Sequence, residues 1–247
     1  PLLAGADALL RRGGGRGLGG GVPPGEGVNG KEEEMEELWR YEDPLRAEGK
    51  VLCGVDEAGA GPLAGPVYAA AVILPPGRLI PGLNDSKKLT ARQREILFDQ
   101  ICAEAQAYAV ASVDEQTIDG IDILNARIRA MDEAIRQLVP KPDFALIDGN
   151  RDHGSRCSIA IPHALLVKGD SRSANIAAAS VLAKVSRDRY MERLSEKYPE
   201  YGFGQHKGYG TKQHYAALDR CGPCPAHRRS FLVKWEARRS ECKKVDG

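Results

Sequence analysis

The chain has 247 residues, 42% of them hydrophobic, and a formal net charge of +1. This composition provides enough apolar side chains for one compact core, which argues against a wholly disordered protein. The longest apolar run, residues 67–74, is less than half as long as a membrane-spanning helix, and the apolar residues at the start of the chain are too few for a signal peptide. We therefore expect a cytoplasmic chain without membrane contacts.

Charge is distributed unevenly along the chain. Residues 51–202 carry 18 Lys and Arg against 20 Asp and Glu, whereas residues 203–247 carry 10 against 4. A long segment with many acids followed by a basic end suits a protein in which carboxylates hold cations and a separate surface binds phosphates.

The first 34 residues include a run rich in glycine and arginine that has too few apolar side chains to fold. Because no aromatic residue interrupts this run to stack on bases, we interpret residues 1–34 as a disordered, non-native leader, with Met35 as the natural start. We place a short helix at residues 35–47, within a short segment 35–50, and a basic tail at residues 236–247.

From residue 51, short β-branched or alanine-rich apolar runs alternate with longer amphipathic stretches, a pattern typical of an α/β domain. The pattern predicts strands at residues 51–56, 67–75, 107–113, 143–148 and 157–167. It predicts helices at residues 90–106, 122–138, 175–197 and 211–221 and in a segment near 227–235. The first of these helices begins at Thr90, a residue type that caps helix N-termini.

Six cysteines include one Cys-x-x-Cys pair, Cys221 and Cys224, with His227 nearby. A structural zinc ion takes four ligands of this kind, and the segment supplies three. We therefore favour reduced thiols over a zinc site.

Two adjacent carboxylates, Asp56 and Glu57, stand at the end of the first predicted strand and are followed by Gly59 and Gly61. Such a loop leaves little side-chain bulk in front of the carboxylates, and glycine allows backbone amides to point at a ligand. A polyanion can therefore approach the acidic pair directly.

Two further acids stand where functional groups collect in α/β proteins. Asp148 ends an apolar strand, and Asp170 lies in a loop ahead of an alanine-rich helix, near its positive N-terminus. Taken singly, these residues suit a turn and a helix cap. If all four acids converge, their mutual repulsion favours bound cations, and two divalent ions would remove it.

These motifs together resemble ribonuclease HII over residues 51–231. The resemblance rests on seven segments in order, at residues 55–67, 83–89, 146–150, 168–171, 178–185, 201–209 and 222–231. It implies an RNase H-like fold, a five-stranded mixed sheet flanked by helices, with a C-terminal helical region. It assigns residues 51–200 to the catalytic domain and residues 201–235 to substrate binding.

The resemblance also implies an activity. A ribonuclease HII cleaves RNA paired to DNA and single ribonucleotides embedded in duplex DNA, on the 5′ side of the ribonucleotide, which serves ribonucleotide removal from DNA. Asp56, Glu57, Asp148 and Asp170 match the four metal-binding acids of the family. Two Mg²⁺ or Mn²⁺ ions, about 3.5 to 4 Å apart, would orient a water and stabilise the leaving 3′ oxygen, leaving 5′-phosphate and 3′-hydroxyl ends. A monomer is expected.

Tyr209 matches the family tyrosine that packs against the sugar beside the ribonucleotide. The complete set of expected substrate-binding residues is Gly59, Ala60, Gly61, Lys87, Lys88, Lys168, Ser180, Lys184, His206, Lys207 and Tyr209. The basic members of this set, with Arg228 and Arg229, are candidates for phosphate contacts that weaken as salt rises.

One residue departs from the family pattern, which has Gly-Arg-Gly where this chain has Gly59-Ala60-Gly61. The family reads the ribose 2′-hydroxyl with this tripeptide. If backbone groups do the reading, Ala60 preserves it, and we expect activity to survive with weakened affinity.

Two alternatives remain. The chain is a nucleic-acid-binding protein that has lost catalysis, or it is a ribonuclease HIII. The presence of all four carboxylates argues against the first. The second typically carries a sizeable N-terminal substrate-binding domain, for which the 50 residues before the first predicted strand are too few.

Overall fold

The computed structural model describes residues 37–78, 80–83 and 89–245. Its five strands are β1 (Leu52–Ala58), β2 (Val67–Ile73), β3 (Ala107–Val113), β4 (Phe144–Asp148) and β5 (His163–Leu166). They form one sheet in the order β3-β2-β1-β4-β5. The β1–β2 and β2–β3 pairs are antiparallel, and the β1–β4 and β4–β5 pairs are parallel. The predicted five-stranded mixed sheet is confirmed.

Helices cover both faces of this sheet and continue beyond it. They are α1 (Asp43–Arg46), α2 (Ala91–Glu104), α3 (Glu115–Ile121), α4 (Ile123–Gln137), α5 (Ala174–Lys197), α6 (Phe203–His206), α7 (Lys212–Cys221) and α8 (Val233–Val245). Within the ranges given above, every helix falls short of what a membrane span requires in length and apolarity.

The alternation of side chains along β1 determines which helix each residue meets. Cys53 and Val55 belong to the core formed with α4. Gly54 points the other way, where a Cβ atom would lie 2.2 Å from the backbone of Asn175 in α5. Only glycine permits this approach, so α5 packs directly on the centre of the sheet.

A separate apolar cluster joins the far end of α5 to the C-terminal helices. Its buried members include Leu63, Met191, Phe203, Leu218 and Trp235. Because Leu63 lies in the loop between β1 and β2, this cluster joins the C-terminal region to the edge of the sheet where that loop lies.

Two predicted elements, the N-terminal helix and the last strand, differ from the structure. The N-terminal helix does not run unbroken, because Pro44 lacks the amide that a continuing helix needs and instead starts α1. The strand predicted at 157–167 is reduced to His163–Leu166, since the amides of Arg156, Cys157 and Ala160 bond side chains of α4 instead of a neighbouring strand.

Helix α3 was not predicted. Its first turn is capped by the Asp114 carboxylate, which accepts a 2.7 Å hydrogen bond from the amide of Thr117. The seven-residue length of α3 gives too short an apolar pattern for a helical period to be recognised.

Candidate active site

The four acids identified in the sequence lie around one end of the sheet. Asp56 and Glu57 are near the end of β1, and Asp148 is the last residue of the parallel neighbour β4. Asp170 lies in a single 3-10 turn just before α5. The Gly169 amide of that turn donates a 2.6 Å hydrogen bond to Asp148 Oδ1, which fixes the turn to the end of β4.

An open cavity of about 470 Å³ is lined by all four carboxylate residues. Its wall also contains Tyr209 and residues 58–61. Residues 59–61 begin the segment that joins β1 to β2, residues 59–66, which we call the glycine loop. Three cationic residues, Arg94, Lys184 and Arg187, also line the cavity. Lys184 Nζ forms a 2.6 Å ion pair with Asp188. The cavity lining therefore contains four acidic and three cationic side chains.

Crowding changes the proton affinity of the acids. Burial raises the pKa of Asp56 well above its usual range, and the charges of Glu57 and Asp148 raise it further. The pKa of Glu57 is also raised by burial, and Arg127 partly offsets this increase. Strongly raised carboxylate pKa values of this kind, caused by burial and by neighbouring acids, are typical of functional sites.

The Glu57 carboxylate points to the α4 side of β1. Asp56 and Gly54 share the face of β1 that meets α5, whereas Glu57 shares the opposite face, where α4 packs. The Glu57 carboxylate is accordingly ion-paired with Arg127 of α4. As placed, no group of three or more His, Cys, Asp or Glu side chains among the described residues can hold a metal ion. The Glu57 carboxylate thus has a cationic partner from the protein itself.

Two buried arginines hold the glycine loop. Arg228 donates to the carbonyl oxygens of Gly59, Ala60 and Gly65 at 2.7, 3.0 and 2.9 Å. Arg187 donates to the carbonyl oxygens of Ala64, Pro66 and Lys207 at 3.0 to 3.1 Å. Burial and the charge of Arg187 lower the pKa of Arg228 to about 10.

These bonds turn the carbonyl groups of the loop towards the protein interior. Among the described residues, none accepts a hydrogen bond from the amides of residues 59–61. Because those residues line the cavity, their backbone donors are available to a ligand there.

Tyr209 closes the other side of the loop. Its ring edge lies against Gly61, where a Cβ atom would be 3.7 Å from Cε1, and the residue remains 49% exposed. Its backbone is fixed at both ends, since its amide donates to His206 O and its carbonyl accepts from His214 Nδ1, each at 2.9 Å. The phenol ring is therefore held at the mouth of the cavity.

Comparison with known proteins identifies the family of this chain. The family model described as Ribonuclease HII matches residues 53–234. The chain belongs to the ribonuclease HII family. It is therefore an endonucleolytic hydrolase of the ribonuclease H type II class. The alternatives of a non-catalytic binding protein and of a ribonuclease HIII are both set aside by this assignment.

Relatives and a solved structure agree with the assignment. A ribonuclease HII of Caldicellulosiruptor bescii is 50% identical over 200 residues, covering 81% of this chain and 95% of that protein. One of Burkholderia thailandensis is 53% identical over 192 residues, covering 77% and 87%. The crystal structure of the ribonuclease H2 from Pyrococcus horikoshii is 27% identical with a TM-score of 0.61, covering 76% of this chain and 97% of that one.

The residues expected to bind substrate in this ribonuclease HII family member fall into three groups. Gly59, Ala60, Gly61, Ser180, Lys184 and Tyr209 line the cavity. Lys168, His206 and Lys207 do not, and the Lys207 ammonium pairs with Glu192 at 2.9 Å. Lys87 and Lys88 lie outside the described residues.

Arg228 requires a correction. The sequence suggested a phosphate contact, but the residue is fully buried and its three guanidinium nitrogen atoms donate to carbonyl oxygens of the loop after β1. It supports the cavity wall from behind and cannot reach a phosphate in solvent.

Sequence reasoning missed Arg94, Arg127 and Arg187. Arg94 lines the cavity and donates to the carbonyl of Leu89 at 2.6 Å. Charged residues on helices are usually solvated, so nothing in the local sequence separates these three arginines from their exposed neighbours.

The Cys-x-x-Cys segment contributes to a buried hydrogen-bond chain. The Cys224 amide donates to His227 Nδ1 at 3.0 Å, which leaves the proton on His227 Nε2 to be donated to His214 Nε2, also at 3.0 Å. His214 Nδ1 in turn donates to the carbonyl of Tyr209. Both rings thus use both nitrogen atoms, and the chain ends at the tyrosine of the cavity.

Proposed function

We propose that this chain hydrolyses the RNA strand of RNA–DNA hybrids and cuts duplex DNA on the 5′ side of a single embedded ribonucleotide. The products would carry 5′-phosphate and 3′-hydroxyl ends, and the reaction would serve removal of ribonucleotides from DNA. The observation that carries the proposal is the placement of Asp56, Glu57, Asp148 and Asp170 around one cavity beside a glycine loop and Tyr209.

The donor set fits Mg²⁺ or Mn²⁺. All four side chains offer carboxylate oxygens, which these hard cations prefer, and no thiol or imidazole of the described residues lines the cavity. Burial is the main cause of the raised pKa values of Asp56 and Glu57, and the charge of Asp148 raises both further. A divalent cation would stabilise the charged form of these buried carboxylates. When bound, two such ions orient the attacking water and stabilise the leaving 3′ oxygen.

The glycine loop supports recognition of the ribose. Arg228 holds the carbonyl groups of Gly59 and Ala60, and residues 59–61 line the cavity, so amides of this backbone would donate to a 2′-hydroxyl there without rearrangement of the loop. Ala60 contributes its amide as any residue would. Tyr209 would pack against the sugar next to it.

Cationic side chains at the cavity margin support binding of the phosphate backbone. Arg94 and Lys184 line the same cavity as the acids, and Lys184 is 39% exposed. A polyanion that approaches the acids would therefore meet positive charge first. If water, and not the neighbouring 2′-hydroxyl, is the nucleophile, the products would carry 5′-phosphate and 3′-hydroxyl ends.

The deciding experiment maps cleavage of a duplex with one embedded ribonucleotide, with Mg²⁺, with Mn²⁺ and with chelator. We expect metal-dependent cutting on the 5′ side of the ribonucleotide and a ligatable 5′-phosphate on the downstream product. A protein that cuts long hybrids but leaves this duplex intact would contradict the single-ribonucleotide part of the proposal.

A substitution tests the site itself. We expect Asp148→Asn to lower metal-dependent cleavage by about a hundredfold or more while hybrid binding is largely retained. Asp99→Asn is the matched control, because Asp99 is 78% exposed on α2 and lies outside the cavity lining. Unaltered turnover in Asp148→Asn would remove the assignment.

A further inference from the structure

The ion pair between Glu57 and Arg127 places a cation of the protein on one of the four acids. Arg127 lies on α4, which packs on the face of the sheet towards which Glu57 points. The two side chains are 28% and 13% exposed, so the pair is largely shielded from water. Interactions between such charges are stronger than at an open surface.

Arg127 makes fewer hydrogen bonds than a largely buried guanidinium group needs. Its Nη2 atom pairs with Glu57, but its buried Nε atom has no hydrogen-bond acceptor among the described residues. The other buried arginines near the site, Arg187 and Arg228, each make three hydrogen bonds to carbonyl oxygens. Arg127 therefore depends on Glu57 for its position, unlike the two arginines that hold the loop.

We propose that Arg127 is a positioning residue that competes with the divalent cation for the Glu57 carboxylate and so sets the metal affinity of the site. This inference rests on the proposed function. In the metal-free enzyme, Arg127 neutralises Glu57 and keeps its carboxylate on the α4 side. Binding of the cation by Glu57 then requires the carboxylate to exchange one positive partner for another.

The consequence is a lower affinity of the site for divalent cations. A guanidinium beside the site repels an incoming divalent cation and occupies one of its ligands, and both effects weaken binding. The same guanidinium limits repulsion among the acids while the metal is absent. Removing its charge should therefore tighten metal binding and make the metal-free protein less stable.

The test measures Mn²⁺ binding to the metal-free full chain without nucleic acid, by calorimetry and by electron paramagnetic resonance of free Mn²⁺, at neutral pH and fixed salt. We expect Arg127→Met to bind Mn²⁺ at least about tenfold more tightly than the wild type. Arg127→Lys, which keeps the charge, should stay near the wild-type affinity.

Arg129→Met is the matched control on the same helix. Arg129 is 51% exposed and pairs with Glu133 one turn away, so its replacement should leave Mn²⁺ affinity unchanged. In thermal unfolding, Arg127→Met should melt lower than wild type without metal and gain more from saturating Mn²⁺. This second measurement separates competition for metal from a simple packing defect, which would lower both melting temperatures equally.

The two proposals fail in different ways. If wild type binds Mn²⁺, Asp148→Asn weakens that binding, and Arg127→Met binds no more tightly than wild type, the role of Arg127 is wrong and the metal site stands. If the wild type binds no Mn²⁺, or binds it equally well after Asp148→Asn, the proposed metal site is wrong. The inference on Arg127 is then wrong as well.

Discussion

The Arg228 guanidinium donates a 2.7 Å hydrogen bond to the carbonyl of Gly59, a residue 169 positions away in the chain. Its other donors reach Ala60 and Gly65, so one buried side chain from the C-terminal region fixes the loop that follows β1. Arg187 and backbone hydrogen bonds from Leu63 N to Gly208 O and from Gly65 N to Ala226 O hold the same loop. Its shape is therefore determined by residues far away in sequence.

Replacing Arg228 should damage the loop and the fold together. Arg228→Met removes three hydrogen bonds to buried carbonyl oxygens, and we expect a loss of about 3 kcal/mol or more in the free energy of unfolding and a raised KM for hybrid substrate. Urea unfolding and steady-state kinetics measure the two effects. Arg220→Met is the control, because this exposed arginine makes only a 3.2 Å bond to Glu200 O. Equal stability of the two variants would contradict the role given to Arg228.

Gly59 should tolerate no side chain. Its φ is +94°, and a Cβ atom would lie 2.0 Å from Arg187 Nε. Gly82 has a similar φ of +87°, and a Cβ atom there would meet no atom of the described residues within 4 Å, so we expect Gly82→Ala to carry the conformational cost alone. We expect about 1 to 2 kcal/mol of destabilisation for Gly82→Ala, and clearly more for Gly59→Ala with loss of cleavage. Equal melting temperatures for the two variants would argue against the contact with Arg187.

Ala60→Arg should strengthen substrate binding without moving the cut. The Ala60 carbonyl is held by Arg228 at 3.0 Å, so the backbone that faces the cavity does not depend on the side chain at this position. An added cation at the cavity wall should lower KM for a singly ribo-substituted duplex severalfold, more at low salt than at high salt. Ala60→Met, similar in length but uncharged, is the control. A change of cleavage position in either variant would contradict backbone reading.

The sheet and the longer helices could be predicted because their signals are local. Thr90, predicted as a helix cap, accepts a hydrogen bond from the amide of Gln93 and heads α2 as expected. The acids at strand ends could also be found, since apolar strands followed by glycine mark the edge where Asp56 and Asp148 lie. The strand predicted at 157–167 was too long, because bonds from its amides to α4 are not visible in the local pattern.

The partners of the acids could not be predicted. Strand alternation alone places Asp56 and Glu57 on opposite faces, but which helix covers each face depends on the topology. Arg127, Arg187 and Arg228 act through contacts across long stretches of chain, and their sequence surroundings resemble those of solvated arginines. Non-local packing therefore determines the electrostatics of the site.

The pair of buried histidines should make stability depend on pH. Burial lowers the pKa of His214 and of His227 from an ordinary value of 6.5 to about 4. As pH falls below about 6.5, the unfolded chain therefore takes up protons before the folded chain does, and stability is lost progressively down to about pH 4. A shift of this size corresponds to about 3 kcal/mol for one histidine, and less than twice that for two coupled rings. Urea unfolding across this pH range should give a free energy that decreases with acidity in the wild type and less steeply in His227→Gln, with the exposed His153→Gln as control. If the free energy of unfolding of His227→Gln decreases with acidity as steeply as that of the wild type, groups other than His227 cause the acid sensitivity.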